Sequence, residues 1–398
     1  MRVLLSTYGS RGDVEPMVAL ALELQARGAE VRVAAPPDFE EFLAGFGLPL
    51  VPIWRSAQGL TKSKPATSSI PERAAEIVAA EFEVLTDAAR GCDVVVATGM
   101  LPAAAGALSV AELLNIRALS VTFQQLTLPS SQRRPLALPG RPLPKDVTGN
   151  QTLWELDAES NNALFGEALN SSRIKYGLPR VDDVRGYVVG DRPWLATDPT
   201  LDPWQGPQPI VQTGAWILPD ERPLSNDLKE FLYNGEPPVF VGFGSMPMHS
   251  SENAAEAAIE AVRAQGRRVI LKRGWAELDL IDDQDDCFVV DEVNQQALFP
   301  QTAAVVHHGG AGTTMTATRA GTPQVIVPQL ADQPYWAGRV ADLGIGTAHD
   351  GAALTTESLS TALKAALLKK PEAQAIAAKI RTDGTAVAAE LLLHDGSR

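Results

Sequence analysis

Apolar positions along the chain follow two alternating patterns. Short, nearly continuous apolar runs recur at RVLLST (2–7), EVRVAAP (30–36), PLVPIW (49–54), CDVVVATG (92–99) and ALSVTF (118–123). Between them, apolar residues return every three or four positions, as Val14, Met17, Val18, Ala21 and Leu22 do ahead of Gly28. The first pattern predicts strands buried on both faces. The second predicts amphipathic helices over 13–27, 38–47, 72–90 and 101–115. Repeated β-α alternation with Val-rich strands predicts an α/β fold with a parallel, doubly wound sheet.

The rhythm breaks at QQLTLPSSQRRPLALPGRPLPKDVTGN (124–150), which combines five prolines with Arg133, Arg134, Arg141 and Lys145. A structureless segment of this length is usually functional or disordered. A helix over 152–174 and a short strand near 193–197 follow, and the Pro- and Asp-rich stretch 199–224 reads as a linker. Alternation then restarts at PPVFVGFGS (237–245), a helix over 251–265, and strands RRVILKRG (267–274), DCFVVDEV (286–293), AAVVHHGG (303–310) and PQVIVPQ (323–329). The expected organisation is a first domain over 1–198, a linker over 199–224, a second domain over 225–385 and a tail, 386–398, packing back on the first. Two such domains can bind a ligand between the carboxyl ends of their sheets. Periplasmic binding proteins, epimerases and kinases share this layout, so architecture alone does not decide function.

Composition narrows the field. At 398 residues the chain suits two cores, and no apolar run reaches the ~18 residues of a membrane span. Met1-Arg2 leads directly into a strand with no cleavage site, so a cytoplasmic protein is expected, and a monomer. A net charge of −14 argues against nucleic-acid binding, so an anionic ligand would have to be held locally by helix N-termini. Cys92 and Cys287 open predicted buried strands and read as small hydrophobes, too few for a disulfide framework or a cysteine zinc site. Of five histidines only the adjacent pair 307–308 stands in a suggestive context, and no metal ligand is assigned.

Two segments carry chemistry. His307-His308-Gly309-Gly310-Ala311-Gly312-Thr313-Thr314 lies where a strand hands over to a helix. Its glycines allow close backbone approach, and the free N–H groups of the helix start form an anion site. His308 offers a hydrogen bond or a positive charge to a diphosphate, and Thr313 and Thr314 offer hydroxyls. The bland alternative, a Gly-rich turn with a threonine cap, leaves the tandem histidine unexplained. The segment is neither a Walker loop nor a GxGxxG turn, which disfavours ATP and NAD. At the next strand-to-helix junction, Asp332 and Gln333 offer an acceptor and a donor suited to sugar hydroxyls; alternatively Asp332 caps a helix with Pro334 in its first turn.

Together these motifs resemble the nucleotide-sugar signature of GT-B glycosyltransferases, two Rossmann-like domains facing each other across a deep cleft. GSRGDVEP (9–16), VQTGAWILPDERPL (211–224), FGS (243–245), RGW (273–275), EVNQQALF (292–299), HHGGAGTT (307–314) and ADQPYWAGRV (331–340) are similar to the vancomycin-type glycopeptide glycosyltransferases. GSRGD and HHGGAGTT also occur in sterol and macrolide glycosyltransferases, whereas TGAWILPDERPL and EVNQQALF point to the glycopeptide group. The resemblance implies an inverting, metal-independent transfer from a UDP- or TDP-sugar to a small aglycone, with no further cofactor. It makes Asp13 the general base, with Ser10 near the diphosphate. Ser245, His308, Gly309, Gly310, Gly312 and Thr313 would hold the phosphates, Arg273, Trp275, Val293 and Gln296 the nucleoside, and Asp332 and Gln333 the sugar. On the residues alone, Asp13 is equally a helix N-cap, with Glu15 as a first-turn dipole partner.

The chain departs from the glycopeptide group at 124–150, which mixes Leu, Pro and Arg. One reading is a flatter, more lipophilic or anionic acceptor; the other is a variable surface loop. Rival functions are transfer to a polyketide, macrolide or sterol-like acceptor, sugar-nucleotide epimerisation, and a non-catalytic sugar-nucleotide-binding helper. Epimerisation needs several carboxylates near the sugar, and Asp332 is the only one placed there. A helper is disfavoured by intact GSRGD and HHGG segments.

Overall fold

The computed structural model describes residues 1–57, 69–138, 140–243, 254–273, 282, 284–350 and 354–394. The chain divides into two compact units: residues 1–199, 203–218 and 381 onward form the first, and 200–202 with 219–380 form the second.

The first unit is built on seven parallel strands: β1 (Arg2–Tyr8), β2 (Glu30–Ala35), β3 (Leu50–Pro52), β4 (Val94–Gly99), β5 (Arg117–Thr122), β6 (Trp194–Leu195) and β7 (Val211–Gln212). Their order across the sheet is β3-β2-β1-β4-β5-β6-β7. Successive side chains of β1 enter opposite layers, as the period of a strand requires. Val3 and Leu5 pack with Val14, Met17 and Leu24 of helix Arg11–Ala26, while Leu4 and Tyr8 pack with Ile77, Phe82 and Leu85 of helix Ile70–Ala88. Helix Gly384–His394 belongs to this unit, burying Ala388, Ala389 and Leu392 in the first of those layers.

The second unit holds six parallel strands, β8 (Val239–Gly242), β9 (Val269–Lys272), β10 (Cys287–Val290), β11 (Ala304–His307), β12 (Gln324–Ile326) and β13 (Gly346–Ala348), ordered β10-β9-β8-β11-β12-β13. Val239 and Val241 face one layer, with Ile259, Val262 and Leu363; Phe240 faces the other, with Ile270 and Phe299. Both sheets are thus buried on both faces, which explains their nearly continuous apolar strands.

Several elements differ from the sequence expectation. Residues 199–224, read as a linker, divide between the units: 203–218 lies in the first and supplies its last strand, while 219 onward lies in the second. A two-residue strand among prolines has too short a pattern to register as a period. The helix expected over 152–174 is two helices, Asn150–Asn161 and Glu167–Lys175, joined by a π turn at Asn162–Gly166. Helix Val184–Val189, helix Asn226–Tyr233 and strand β13 were not anticipated. Among the described residues no helix is long and apolar enough to cross a membrane.

Candidate functional site

In a doubly wound sheet the strand order reverses at one point, and there the connections part to open a crevice at the carboxyl ends. In the first unit that point lies between β1 and β4, where Tyr8 pairs with Gly99. In the second it lies between β8 and β11, where Gly242 pairs with His307. The two motifs that dominate the sequence, GSRGD and HHGGAGTT, leave β1 and β11 at these two points.

In the second unit the tandem histidine divides into two roles. His307 is fully buried, and burial pushes its pKa down to about 3, so its imidazole is neutral. Nδ1 accepts the backbone N–H of Gly309 at 3.1 Å, which places the proton on Nε2, 2.9 Å from Oε1 of Gln324. Gln324 donates onward to Thr318 Oγ1 at 2.9 Å, and Thr318 to Thr314 O at 2.8 Å. This chain of fully satisfied bonds sets the loop's shape. His308 is different: its Nδ1 is buried with no hydrogen-bond partner among the described residues. Burial first, then the charge of Lys272, lowers its pKa to about 4, so in the absence of an anion it is a hydrogen-bonding group rather than a cation.

The helix that follows, Ala311–Arg319, starts at Gly310 with no side-chain cap, so its first N–H groups are open at the positive end of the dipole. Gly309 has φ +92°, and a Cβ there would lie 2.6 Å from Ile326 Cγ2; at Gly310 it would lie 2.7 Å from His308 Nε2. At Gly312 a Cβ would meet nothing among the described residues, so their packing does not account for that glycine. Thr314 does not supply a hydroxyl to a ligand as expected. It is fully buried and donates to Gly310 O at 3.0 Å, while Thr313, half-buried, keeps its hydroxyl without a partner among the described residues.

At the neighbouring junction, Asp332 occupies the N-cap position of helix Gln333–Asp342 but makes no capping bond. Its Oδ2 accepts the indole N–H of Trp336 at 2.8 Å, and burial raises its pKa against the lowering effect of that bond. Gln333 is more committed than the sequence suggested. Its Oε1 accepts from the backbone of Gln329 at 2.7 Å and of Leu330 at 3.1 Å, so its carbonyl oxygen is committed to the loop. Between them Ala331 holds φ +55°, a left-handed conformation uncommon for a residue with a side chain.

The other predicted second-unit residues are less concentrated. Arg273 is exposed and 3.2 Å from Asp291, Val293 packs at the edge of the core, and Gln296 Oε1 lies 3.5 Å from the backbone N of Asp220. Ser245 and Trp275 lie outside the described residues. Two residues were missed. Lys272 ends β9 with its side chain 15% exposed, close enough to His308 to depress its pKa. Asn294 caps helix Gln295–Leu298 and ties it to Asp220 O and Arg222 O at 2.7 and 2.8 Å. A cation at the carboxyl end of an apolar strand was the legible sign of the first; an Asn before a helix was the sign of the second. The sequence also holds an Asp-x-Asp triplet, Asp283-Gln284-Asp285, whose first aspartate lies outside the described residues. The flanking Asp282 and Asp286 are each 2.7 Å from Arg263, and the described residues contain no group of three or more metal-ligating side chains.

In the first unit the cap position belongs to Ser10, and Asp13 stands three residues into the helix. Asp13 Oδ2 accepts the Ser10 N–H at 2.8 Å and the Ser10 hydroxyl at 3.3 Å, the acidic half of a capping box. Ser10, expected to face the diphosphate, therefore also orients Asp13. A Cβ on Gly9 would fall 2.2 Å from Asp13 Oδ2, so glycine there lets the carboxylate fold under the turn. Glu15 pairs with Arg11 at 2.6 Å. Across the switch point, Gly99 has φ +92° and presses on the Tyr8 backbone, while Met100, tied by its N–H to Tyr8 O at 2.9 Å, is 41% exposed. Met100 was not anticipated, because an apolar residue opening a helix looks like core until the switch point is known.

Comparison with known proteins agrees with the fold. The family described as glycosyltransferase family 28 N-terminal domain matches residues 3–127, and the erythromycin biosynthesis protein CIII-like C-terminal domain matches 269–390. Glycosyltransferase GtfE of Amycolatopsis orientalis is 52% identical over 98% of this chain and 97% of its own length. The vancomycin aglycone glucosyltransferase of the same organism is 51% identical over 100% and 98%, and its dTDP-epi-vancosaminyltransferase 46% identical over 94% and 92%. Among solved structures, the kitacinnamycin glycosyltransferase superposes with a TM-score of 0.75 at 21% identity, covering 99% of this chain and 98% of that one. That likeness establishes a GT-B fold.

Proposed function

The chain belongs to the vancomycin-type glycopeptide glycosyltransferases, and on that premise we propose that it moves a sugar from a UDP- or TDP-sugar to a hydroxyl of a glycopeptide antibiotic aglycone. In this reading Asp13 takes the proton of the acceptor hydroxyl as its oxygen attacks the anomeric carbon. The bond from that carbon to the diphosphate oxygen breaks on the opposite face, so the configuration inverts. The electron pair leaves with the nucleoside diphosphate. Its added charge is met by the open N–H groups at the start of helix Ala311–Arg319, by His308 and by Lys272, preorganised donors that take the place of a metal ion. Asp332 and the amide N–H groups of Gln333 hold sugar hydroxyls.

The observation that carries the reading is the buried, unpartnered Nδ1 of His308 beside an uncapped helix start at the switch point. A buried polar atom without a partner costs about 1–3 kcal/mol, which an anionic ligand would recover. The acceptor class is supported by the relative named for the vancomycin aglycone. The deciding experiment measures nucleotide affinity and sugar transfer to vancomycin aglycone for the wild type, Asp13→Asn and His308→Ala. Loss of a general base should cost about 100-fold or more in kcat. Asp13→Asn should show that loss with donor affinity intact, and His308→Ala should weaken nucleotide binding. A wild type that binds neither UDP- nor TDP-sugars would overturn the reading, and transfer abolished by a chelator would overturn its metal-independent form.

A further inference from the structure

The segment leaving β5 at Thr122 combines leucines and cations, and the structure sorts them. Leu126 and Leu128 are 6% and 2% exposed, Pro135 is buried, and Leu136, Leu138 and Leu143 are half-buried. Arg134, Arg141 and Lys145 are exposed and enter no ion pair among the described residues. The segment therefore turns its apolar side chains inward and presents positive charge. In a chain of net charge −14, residues 124–150 carry four cations and a single acid, Asp146.

The root of the segment is fixed. Gln125 is fully buried, hydrogen-bonded to Arg133 and donating to Pro203 O at 3.2 Å. Arg133 O accepts the indole N–H of Trp154 at 2.8 Å, and Ser131 O accepts from Asn150 at 2.9 Å. Farther out, the Arg141 N–H returns to Leu138 O at 2.9 Å, reversing the chain with Arg134 on one arm and Lys145 on the other. The segment starts from the carboxyl end of β5, which lies beside β4 and two strands from β1, on the sheet edge that carries Met100 and Asp13. The segment that carries these cations is thus rooted at the edge where a sheet of this kind binds its ligand.

We propose that Arg134, Arg141 and Lys145 recognise a carboxylate on the acceptor. The proposal rests on the sugar-transfer reading above and narrows its acceptor to one carrying negative charge. Solvent-exposed pairs are individually weak, so three of them act mainly on acceptor affinity and leave the chemical step alone.

The test uses the whole chain and one glycopeptide aglycone prepared as its free carboxylate and as its carboxamide. Acceptor KM and kcat are compared for the wild type and the triple variant Arg134→Gln/Arg141→Gln/Lys145→Gln. The triple variant should raise KM for the carboxylate about 10-fold while KM for the carboxamide stays within about 2-fold. Transfer to the carboxamide shows that the variant is folded, and donor KM should not move. Raised salt should erode the wild-type preference in the same way. Equal KM for carboxylate and carboxamide in the wild type, or a preference that survives the triple substitution, overturns the proposal and leaves sugar transfer standing. If neither acceptor form is glycosylated and no nucleotide-sugar binds, the sugar-transfer reading fails and the proposal with it.

Discussion

The backbone N–H of Gly309 donates to Nδ1 of His307 at 3.1 Å, so the first histidine of the tandem builds the loop from which the second projects. Removing either ring should therefore have opposite consequences. His307→Ala leaves Gln324 Oε1 and the Gly309 N–H without their partners in a buried site and should cost about 1–3 kcal/mol for each. His308→Ala removes an unsatisfied atom and should leave stability nearly unchanged. Thermal melts paired with nucleotide titrations distinguish the two: lower Tm for the first, weaker nucleotide binding at wild-type Tm for the second.

The glycines of the same loop make a parallel pair. At Gly309 a methyl group meets both φ +92° and the Ile326 side chain, whereas at Gly312 it meets nothing among the described residues. Gly309→Ala should be destabilised by about 1–3 kcal/mol, the cost of a strained backbone position. Gly312→Ala should melt like the wild type yet bind nucleotide about 10-fold more weakly, about 1.4 kcal/mol, if a phosphate lies against that backbone. Unchanged nucleotide affinity in Gly312→Ala would place the phosphates elsewhere.

Trp336 is a positioning residue. Its indole N–H holds Asp332 Oδ2 at 2.8 Å from the next turn of the helix. Trp336→Phe keeps most of the packing and removes one hydrogen bond to a charged group, worth about 1.5–3 kcal/mol. kcat/KM for the nucleotide-sugar should fall by about 10-fold or more on that scale, while affinity for the bare nucleoside diphosphate should not change. A purely structural role would lower both together.

Glu81 offers a pH signature independent of catalysis. It is fully buried between β1 and helix Ile70–Ala88, with Ser6 Oγ at 3.4 Å, and burial raises its pKa from 4.5 to about 8. The folded chain therefore holds a proton that the unfolded chain releases. Its stabilising effect is complete below about pH 4.5 and is lost as pH rises through about 8. Each pH unit inside that window removes up to about 1.4 kcal/mol. Glu81→Gln should abolish this decline, so its Tm should gain on the wild type as pH rises from the lower to the upper end of the window. Parallel melting curves for the two proteins would show that Glu81 is not the source.

The periodicities alone determined a great deal. RVLLST, CDVVVATG and AAVVHHGG are buried strands because only a strand covered on both faces tolerates such unbroken apolar runs. The glycine clusters mark turns where chain reversals need them, so the GSRGD and HHGGAGTT segments could be placed at strand-to-helix junctions without coordinates. These features are local, and the chain encodes them within a few residues. The functions of individual side chains depend on neighbours far away in sequence, and only the tertiary structure decided them. His307 became structural because Gln324, 17 residues on, meets its ring. Asp13 became the partner of Ser10 because the helix begins at Arg11 and not at Asp13. The 124–150 segment mixes leucines and cations along its length, and only the fold buries Leu126 and Leu128 while leaving Arg134, Arg141 and Lys145 exposed. Burial is a property of what packs opposite a residue, and no pattern along the chain records it.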